Sequence, residues 1–198
     1  MEPETWNLEL LVRIIAGKYR GRNLKSPPSL EVRPTSDRLR ETLFNVIAPR
    51  IEGARFLDLC AGSGAVGIEA LSRGAIDATF VDKSRKMCAL VEANLDLCRV
   101  PEEQTKVVQA EAVDYLSRSR KQKATPWNIL FFDPPYATDY LQVLGLLGKT
   151  MGELLANEGL LVVEHHHKNG LPDELGSIIR SRTLKQGDSA LSFFSMKR

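Results

Sequence analysis

The chain has few of the features that mark secreted, zinc-ribbon or membrane-spanning proteins. Its 198 residues include three cysteines, Cys60, Cys88 and Cys98. An odd number without Cys-x-x-Cys spacing excludes a disulfide framework and a zinc ribbon, and it fits a reducing compartment. The first ten residues carry three glutamates and lack a basic start leading into an apolar run, so no secretory leader is expected. No apolar stretch has the length a bilayer requires. Internal repeats and low-complexity segments are missing too, and a soluble, cytoplasmic protein is the expectation. With 43% hydrophobic residues, the chain can bury one full core plus an appendage.

The small net charge of +2 is unevenly spread. From Arg13 to Arg40, eight basic residues (Arg13, Lys18, Arg20, Arg22, Lys25, Arg33, Arg38 and Arg40) stand against Glu31 and Asp37, a local +6 that leaves −4 for the remainder. One end thus suits a polyanion while the rest reads as an ordinary globule. Charge alone leaves a solvated basic surface equally open.

Val12 to Leu24 alternates short apolar pieces with Gly17 and Gly21, which predicts a β-hairpin. Pro27 and Pro28 impose an extended connection, and Pro34-Thr35-Ser36-Asp37 supplies capping residues for a helix that buries Leu39, Leu43, Val46 and Ile47 and stops at Pro49. From Arg55 onward, short apolar runs alternate with helical stretches, so an α/β parallel sheet is expected. Its strands are Phe56 to Cys60, Ala78 to Asp82, Thr105 to Gln109, Ile129 to Asp133 and Leu160 to Glu164. The helices between them are Val66 to Arg73, Arg85 to Cys98, Ala112 to Arg118 and Tyr140 to Leu155, the last broken at its glycines, Gly145, Gly148 and Gly152. Ser177 to Leu184 and Ala190 to Lys197 read as a closing strand pair around Gly187-Asp188. The expected division is a tail and basic hairpin extension over residues 1–30 and one α/β domain over 31–198.

Asp58-Leu59-Cys60-Ala61-Gly62-Ser63-Gly64-Ala65-Val66-Gly67 places glycines where a buried strand gives way to a helix. Missing Cβ atoms allow positive φ and let a ligand approach the backbone. The spacing also satisfies the dinucleotide fingerprint, so the loop by itself leaves both NAD and S-adenosylmethionine open. Asp82, at the end of the next strand, can accept hydrogen bonds from a ribose diol, which both ligands carry. Asp58 separates them, because a carboxylate in the strand feeding the loop attracts an ammonium and repels a pyrophosphate. Glu111, after the third strand, is placed to touch an adenine amine, or to stabilise a helix N-terminus.

Asp133-Pro134-Pro135-Tyr136 closes the fourth strand, on the sheet edge where α/β ligands gather. The prolines hold the Asp133 carboxylate and a neighbouring carbonyl, that of Pro134, in one arrangement. An aromatic exocyclic amine has its lone pair delocalised into the ring. Two acceptors on its protons restore nucleophilic character and aim the nitrogen, while Tyr136 offers a stacking face. The co-occurrence of this tetrapeptide with the glycine loop and Asp82 points to an amino-methyltransferase and away from a dehydrogenase.

The string Arg13-Ile14-Ile15-Ala16-Gly17-Lys18-Tyr19-Arg20-Gly21-Arg22, the block from Arg33 to Asn45, the glycine loop and Asp133 to Tyr136 together resemble the bacterial 16S ribosomal RNA guanine-N2 methyltransferase family, RsmD type. The resemblance runs from about Val12 to the end, where Gly187-Asp188-Ser189-Ala190-Leu191 is similar to the family's closing strand pair. It implies a Rossmann-like class I fold with a small N-terminal β-hairpin extension. It also implies methyl transfer from S-adenosylmethionine to the N2 amine of a guanine, position 966, in small-subunit RNA during assembly. The cofactor-binding residues implied are Asp58, Ala61, Gly62, Ser63, Gly64, Asp82, Glu111 and Asp133; the catalytic ones are Asp133, Pro134 and Tyr136. Arg13, Lys18, Arg20, Arg22, Arg33, Arg38 and Arg40 become RNA contacts. Cys60 stands where the family has phenylalanine, Asp82 where glutamate is frequent and Glu111 where aspartate is expected.

His165, His166 and His167 are the chain's histidines. Consecutive side chains on a strand alternate faces, so the three do not converge and no metal is expected. A monomer acting on an RNA particle is the expectation. The rival readings are a DNA adenine-N6 or cytosine-N4 methyltransferase and a non-catalytic RNA-binding assembly module.

Overall fold

In a computed structural model, residues 12–26, 36–134 and 140–197 are described. An eight-stranded sheet has the order β5-β4-β3-β6-β7-β10-β9-β8, with a separate two-stranded hairpin β1-β2. The five parallel strands are β3 (Arg55–Leu59), β4 (Asp77–Asp82), β5 (Thr105–Gln109), β6 (Trp127–Phe132) and β7 (Leu155–His166). Strand β10 (Ser189–Met196) runs antiparallel between β7 and β9 (Ile178–Gln186), and β8 (Glu174–Leu175) completes the edge.

The parallel strands read as continuous apolar runs because both of their faces are covered. Phe56, Phe80, Ile129 and Phe131 point into one core with α1 (Asp37–Ile51), α2 (Ala65–Ser72) and α3 (Arg85–Cys98). Leu57, Leu59, Val81, Leu130 and Phe132 point into the other with α4 (Ala112–Lys121) and α5 (Tyr140–Leu154).

The expected hairpin is present, although each strand, β1 (Val12–Arg13) and β2 (Asn23–Leu24), is two residues long. So short a ladder cannot hold itself. Docking does: Val12, Ile14, Tyr19 and Leu24 are buried in the same cluster as Phe44 and Phe56, each burial contributing about 1.5–3 kcal/mol. Gly17, at φ +81°, lies so close to α2 that a Cβ there would fall 1.8 Å from the Ser72 carbonyl oxygen. The boundary drawn at residue 30 and the connection at Pro27 and Pro28 lie outside the described residues.

Two helix expectations are corrected. Helix α1, capped by Ser36 as predicted, continues through Pro49 to Ile51. The proline forfeits one donor in the last turn, and burial of Ile47 and Ile51 offsets it. Helix α5 is continuous through its glycines. Gly148 serves packing, since a Cβ there would sit 2.5 Å from the Leu175 carbonyl oxygen.

Candidate active site

Strands β3, β4 and β5 succeed one another in one direction from the middle of the sheet, while β6 and β7 lie on the other side of β3. The reversal falls between β3 and β6, and a crevice opens at their carboxyl ends. The glycine loop leaves β3 on one side of that crevice and Asp133 leaves β6 on the other. The Asp133 amide donates to the Leu59 carbonyl at 3.3 Å, which keeps the two segments together. Asp133 is half-buried and Pro134 buried. Tyr136, the expected stacking face, lies outside the described residues, as does Arg33.

The loop is held by backbone bonds and by Asp82. The amides of Cys60 and Ala61 donate to the Val81 carbonyl at 2.8 and 3.0 Å, and Gly64 donates to Ala61 at 2.8 Å. One oxygen of Asp82 receives the Gly62 amide at 3.0 Å and the other the Ser84 amide at 2.9 Å. Asp82 therefore pins the loop, and each oxygen retains a second lone pair for a ligand hydroxyl. Gly62 (φ +55°) and Gly64 (φ +76°) occupy the left-handed region, and none of the described residues fills the space where Gly62 would carry a Cβ. Ser63 is buried and Ala61 half-buried. Glu111 is exposed at the N-terminal cap of α4, makes no capping bond and stands 3.8 Å from the Lys83 ammonium.

Electrostatics discriminate between ligands. Burial pushes the Cys60 thiol pKa up, and the charges of Asp82, Asp133, Asp58 and Glu111 push it further. Four acidic side chains thus bear on the start of the glycine loop. Such a field suits the ammonium and sulfonium of S-adenosylmethionine and opposes a pyrophosphate. Asp58 is buried; one oxygen accepts the Gly67 amide at 2.9 Å, and the other has no hydrogen-bond partner among the described residues. Burial raises its pKa to about 7, against the Gly67 hydrogen bond and with help from the Asp82 charge. A buried, unsatisfied carboxylate oxygen beside an open glycine cradle is what an ammonium-bearing ligand would complete. The residues fit S-adenosylmethionine, with Asp58, Asp82 and the Ala61 to Gly64 backbone to hold it.

The basic residues divide. Lys18, Arg20 and Arg38 are exposed. Arg13 is exposed with its guanidinium 3.2 Å from Asp37, and Arg22 reaches the Leu97 carbonyl at 2.7 Å. A groove of about 440 Å³ between the hairpin and α1 is lined by Arg13, Arg20, Arg38, Asp37 and Glu41. Arg40 is a correction: it is fully buried, bonded to Asp37 and to the Arg13 carbonyl, and 3.9 Å from the buried Glu69. It cannot reach a phosphate from there, because its charge is committed to the interior.

Sequence reasoning did not single out Glu69, Ser72 or Asn94, all buried. Glu69 accepts the amides of Ile15 and Ala16 at 2.7 and 3.0 Å, and the Ser72 hydroxyl accepts the Tyr19 amide at 2.9 Å. They fasten the hairpin to α2. The available signal was one charged residue inside an otherwise apolar helix, Ala65 to Leu71. Strand β7 ends at His166, and the alternation of faces expected of the three histidines ends with it. His166 and His167 stack with centroids 4.8 Å apart and lie near Asp188, while His165 is buried against Ser192. At His167, Nδ1 faces the Asp188 carbonyl at 3.2 Å, the polarity of a metal ligand. At His166, Nδ1 accepts the Lys168 amide at 3.1 Å, which puts the proton on Nε2.

Fold, switch-point crevice and acidic glycine loop define a class, the S-adenosylmethionine-dependent methyltransferases. The fold matches the S-adenosylmethionine-dependent methyltransferase of Agrobacterium tumefaciens with a TM-score of 0.65 at 16% identity, over 89% of this chain and 67% of that one. Within that class, the chain belongs to the family described as Conserved hypothetical protein 95, whose model matches residues 12–195. It is 44% identical over 166 residues to ribosomal RNA small subunit methyltransferase D of Escherichia coli strain K12, covering 81% of this chain and 78% of that protein. A hypothetical protein of Thermus thermophilus, known from its solved structure, is 33% identical with a TM-score of 0.79, over 92% of this chain and 98% of that one.

Proposed function

We propose that the protein transfers a methyl group from S-adenosylmethionine to the exocyclic N2 amine of a guanine in 16S ribosomal RNA. The observation that carries this reading is Asp133 held at the switch point against an acidic glycine loop, in a chain whose relative carries the small-subunit methyltransferase name. When bound, the cofactor supplies an electrophilic methyl carbon on a sulfonium. Asp58 balances the ammonium of its methionine end, and Asp82 accepts from its ribose. The Asp133 carboxylate and the Pro134 carbonyl accept the two amine protons, which raises electron density on the nitrogen and aims it. Asp133 then receives the proton that the methylated nitrogen sheds. Tyr136 supplies the stacking face for a guanine flipped from its strand.

Arg13, Lys18, Arg20, Arg22 and Arg38 follow the RNA backbone along the hairpin and the groove beside α1. In this reading the enzyme works as a cytoplasmic monomer on an assembling small subunit, without a metal. The test is transfer of labelled methyl from S-adenosylmethionine to small-subunit particles lacking the modification, followed by nucleoside digestion and mass analysis. Labelled N2-methylguanosine is expected. Label in N6-methyladenine or N4-methylcytosine of added DNA, with none in RNA, would reverse the substrate assignment.

A further inference from the structure

Asn94 sits in the middle of α3 on its buried face, with Leu90, Val91, Leu95 and Cys98, and is fully inaccessible. A buried amide costs stability unless each of its groups is paired. Here one side-chain nitrogen donates twice, to the Ser63 carbonyl at 2.8 Å and to the Lys25 carbonyl at 3.0 Å, and the side-chain oxygen accepts the Lys25 amide at 2.8 Å. All three bonds reach backbone of two segments far apart in sequence. One segment is the glycine loop and the other is the residue that follows β2.

The Ser63 bond controls a peptide plane. The carbonyl of Ser63 and the amide of Gly64 belong to the same planar unit. Asn94 holds the carbonyl side, and the Ala61 carbonyl holds the amide side at 2.8 Å. That plane sets the turn of the loop over the open space at Gly62. The Lys25 bonds set the exit of the hairpin, whose Arg22 is tied to the same helix through the Leu97 carbonyl at 2.7 Å.

We propose that Asn94 is a positioning residue that couples the cofactor loop to the basic hairpin, so that occupancy of the loop by cofactor tightens the hairpin's grip on RNA. The inference rests on the functional reading above. Coupling of this kind is reciprocal: a ligand that favours one arrangement of the Ser63 peptide favours one arrangement of Lys25, and RNA on the hairpin favours cofactor to the same degree. Asn94→Ala removes every bond. Asn94→Asp keeps an acceptor for the Lys25 amide and loses both donations, which separates the loop bond from part of the hairpin bond.

The experiment measures binding of unmethylated small-subunit particles with and without S-adenosylhomocysteine, for the full-length protein and both variants. In the parent, S-adenosylhomocysteine is expected to tighten particle binding by about tenfold, within the usual range for linked sites. In the variants the ratio falls to within about twofold of unity while each ligand alone still binds. A role in stability alone would weaken both affinities and leave their ratio unchanged. A parent ratio that persists in both variants overturns the inference alone; a parent that binds neither ligand overturns the functional reading and the inference with it. Amide exchange of the parent provides a check that needs no variant. Adding S-adenosylhomocysteine should slow exchange at Lys25 several-fold, and an unchanged rate there overturns the coupling.

Discussion

Asp58 and Asp133 are both aspartates at the carboxyl edge, yet their surroundings assign them different work. Asp58 is sealed in, and burial holds its pKa at about 7 against an ordinary 3.8. The folded protein therefore takes up a proton that the unfolded chain releases, and stability falls as pH rises from about 4 to about 7. An ammonium-bearing ligand reverses the preference by favouring the carboxylate. Affinity for S-adenosylhomocysteine should accordingly rise about tenfold between pH 6 and pH 8, and Asp58→Asn should abolish that rise while stabilising the free protein at pH 8. Calorimetric titration and thermal melting at the two pH values read both effects. Asp133 is half-buried at the edge of the crevice. Asp133→Ala should lower turnover by about 100-fold or more with cofactor affinity within about twofold of the parent, as loss of a transition-state acceptor predicts. Unchanged turnover would remove Asp133 from the mechanism.

The hairpin divides its residues between an inward face that holds it and an outward face that carries charge. Its apolar side chains and backbone amides face inward, to the core and to Glu69 and Ser72. Lys18 and Arg20 face solvent. The double variant Lys18→Glu with Arg20→Glu should therefore leave the melting temperature nearly unchanged and weaken particle binding. It should also flatten the dependence on salt by about 0.7 in log–log slope for each phosphate that is no longer neutralised. Salt titration of binding checks this; an unaltered slope would move the RNA face elsewhere. Arg22 is a poorer probe, because reversing its charge also breaks the bond to Leu97.

On the scale of the molecule, hairpin, α1, α2 and the sheet share one buried cluster, and the buried ions Arg40 and Glu69 lie at their junction. Removing one partner of such a pair leaves an uncompensated buried charge, and removing the hairpin exposes the cluster. A chain lacking residues 1–26 should thus lose cooperative thermal unfolding followed by circular dichroism. A truncated chain that melts sharply near the parent temperature would show the hairpin to be a mere appendage.

Some of this was legible in the residues themselves. Strand β5 and helix α3 coincide with their expected bounds, because an apolar run or a helical period is a local pattern. The glycine loop, Asp82 and Asp133 were legible for the same reason: a backbone that must approach a ligand, and carboxylates that must stand at strand ends, are specified by contiguous residues and their place in the alternation of elements. Arg40 reads as an RNA contact in the sequence because nothing near it in the chain reveals Glu69 as its partner. Pro49 and the glycines of α5 read as helix breakers, since only packing from Ile51 and Leu175 shows why the helices continue. Asn94 looks like one more polar residue on a helix. The sequence by itself determined the sheet, the cofactor loop and the acidic crevice. The tertiary structure alone decided which cations face outward and which residues join hairpin to loop, because burial and hydrogen-bond partners arise from segments that meet only when the chain has folded.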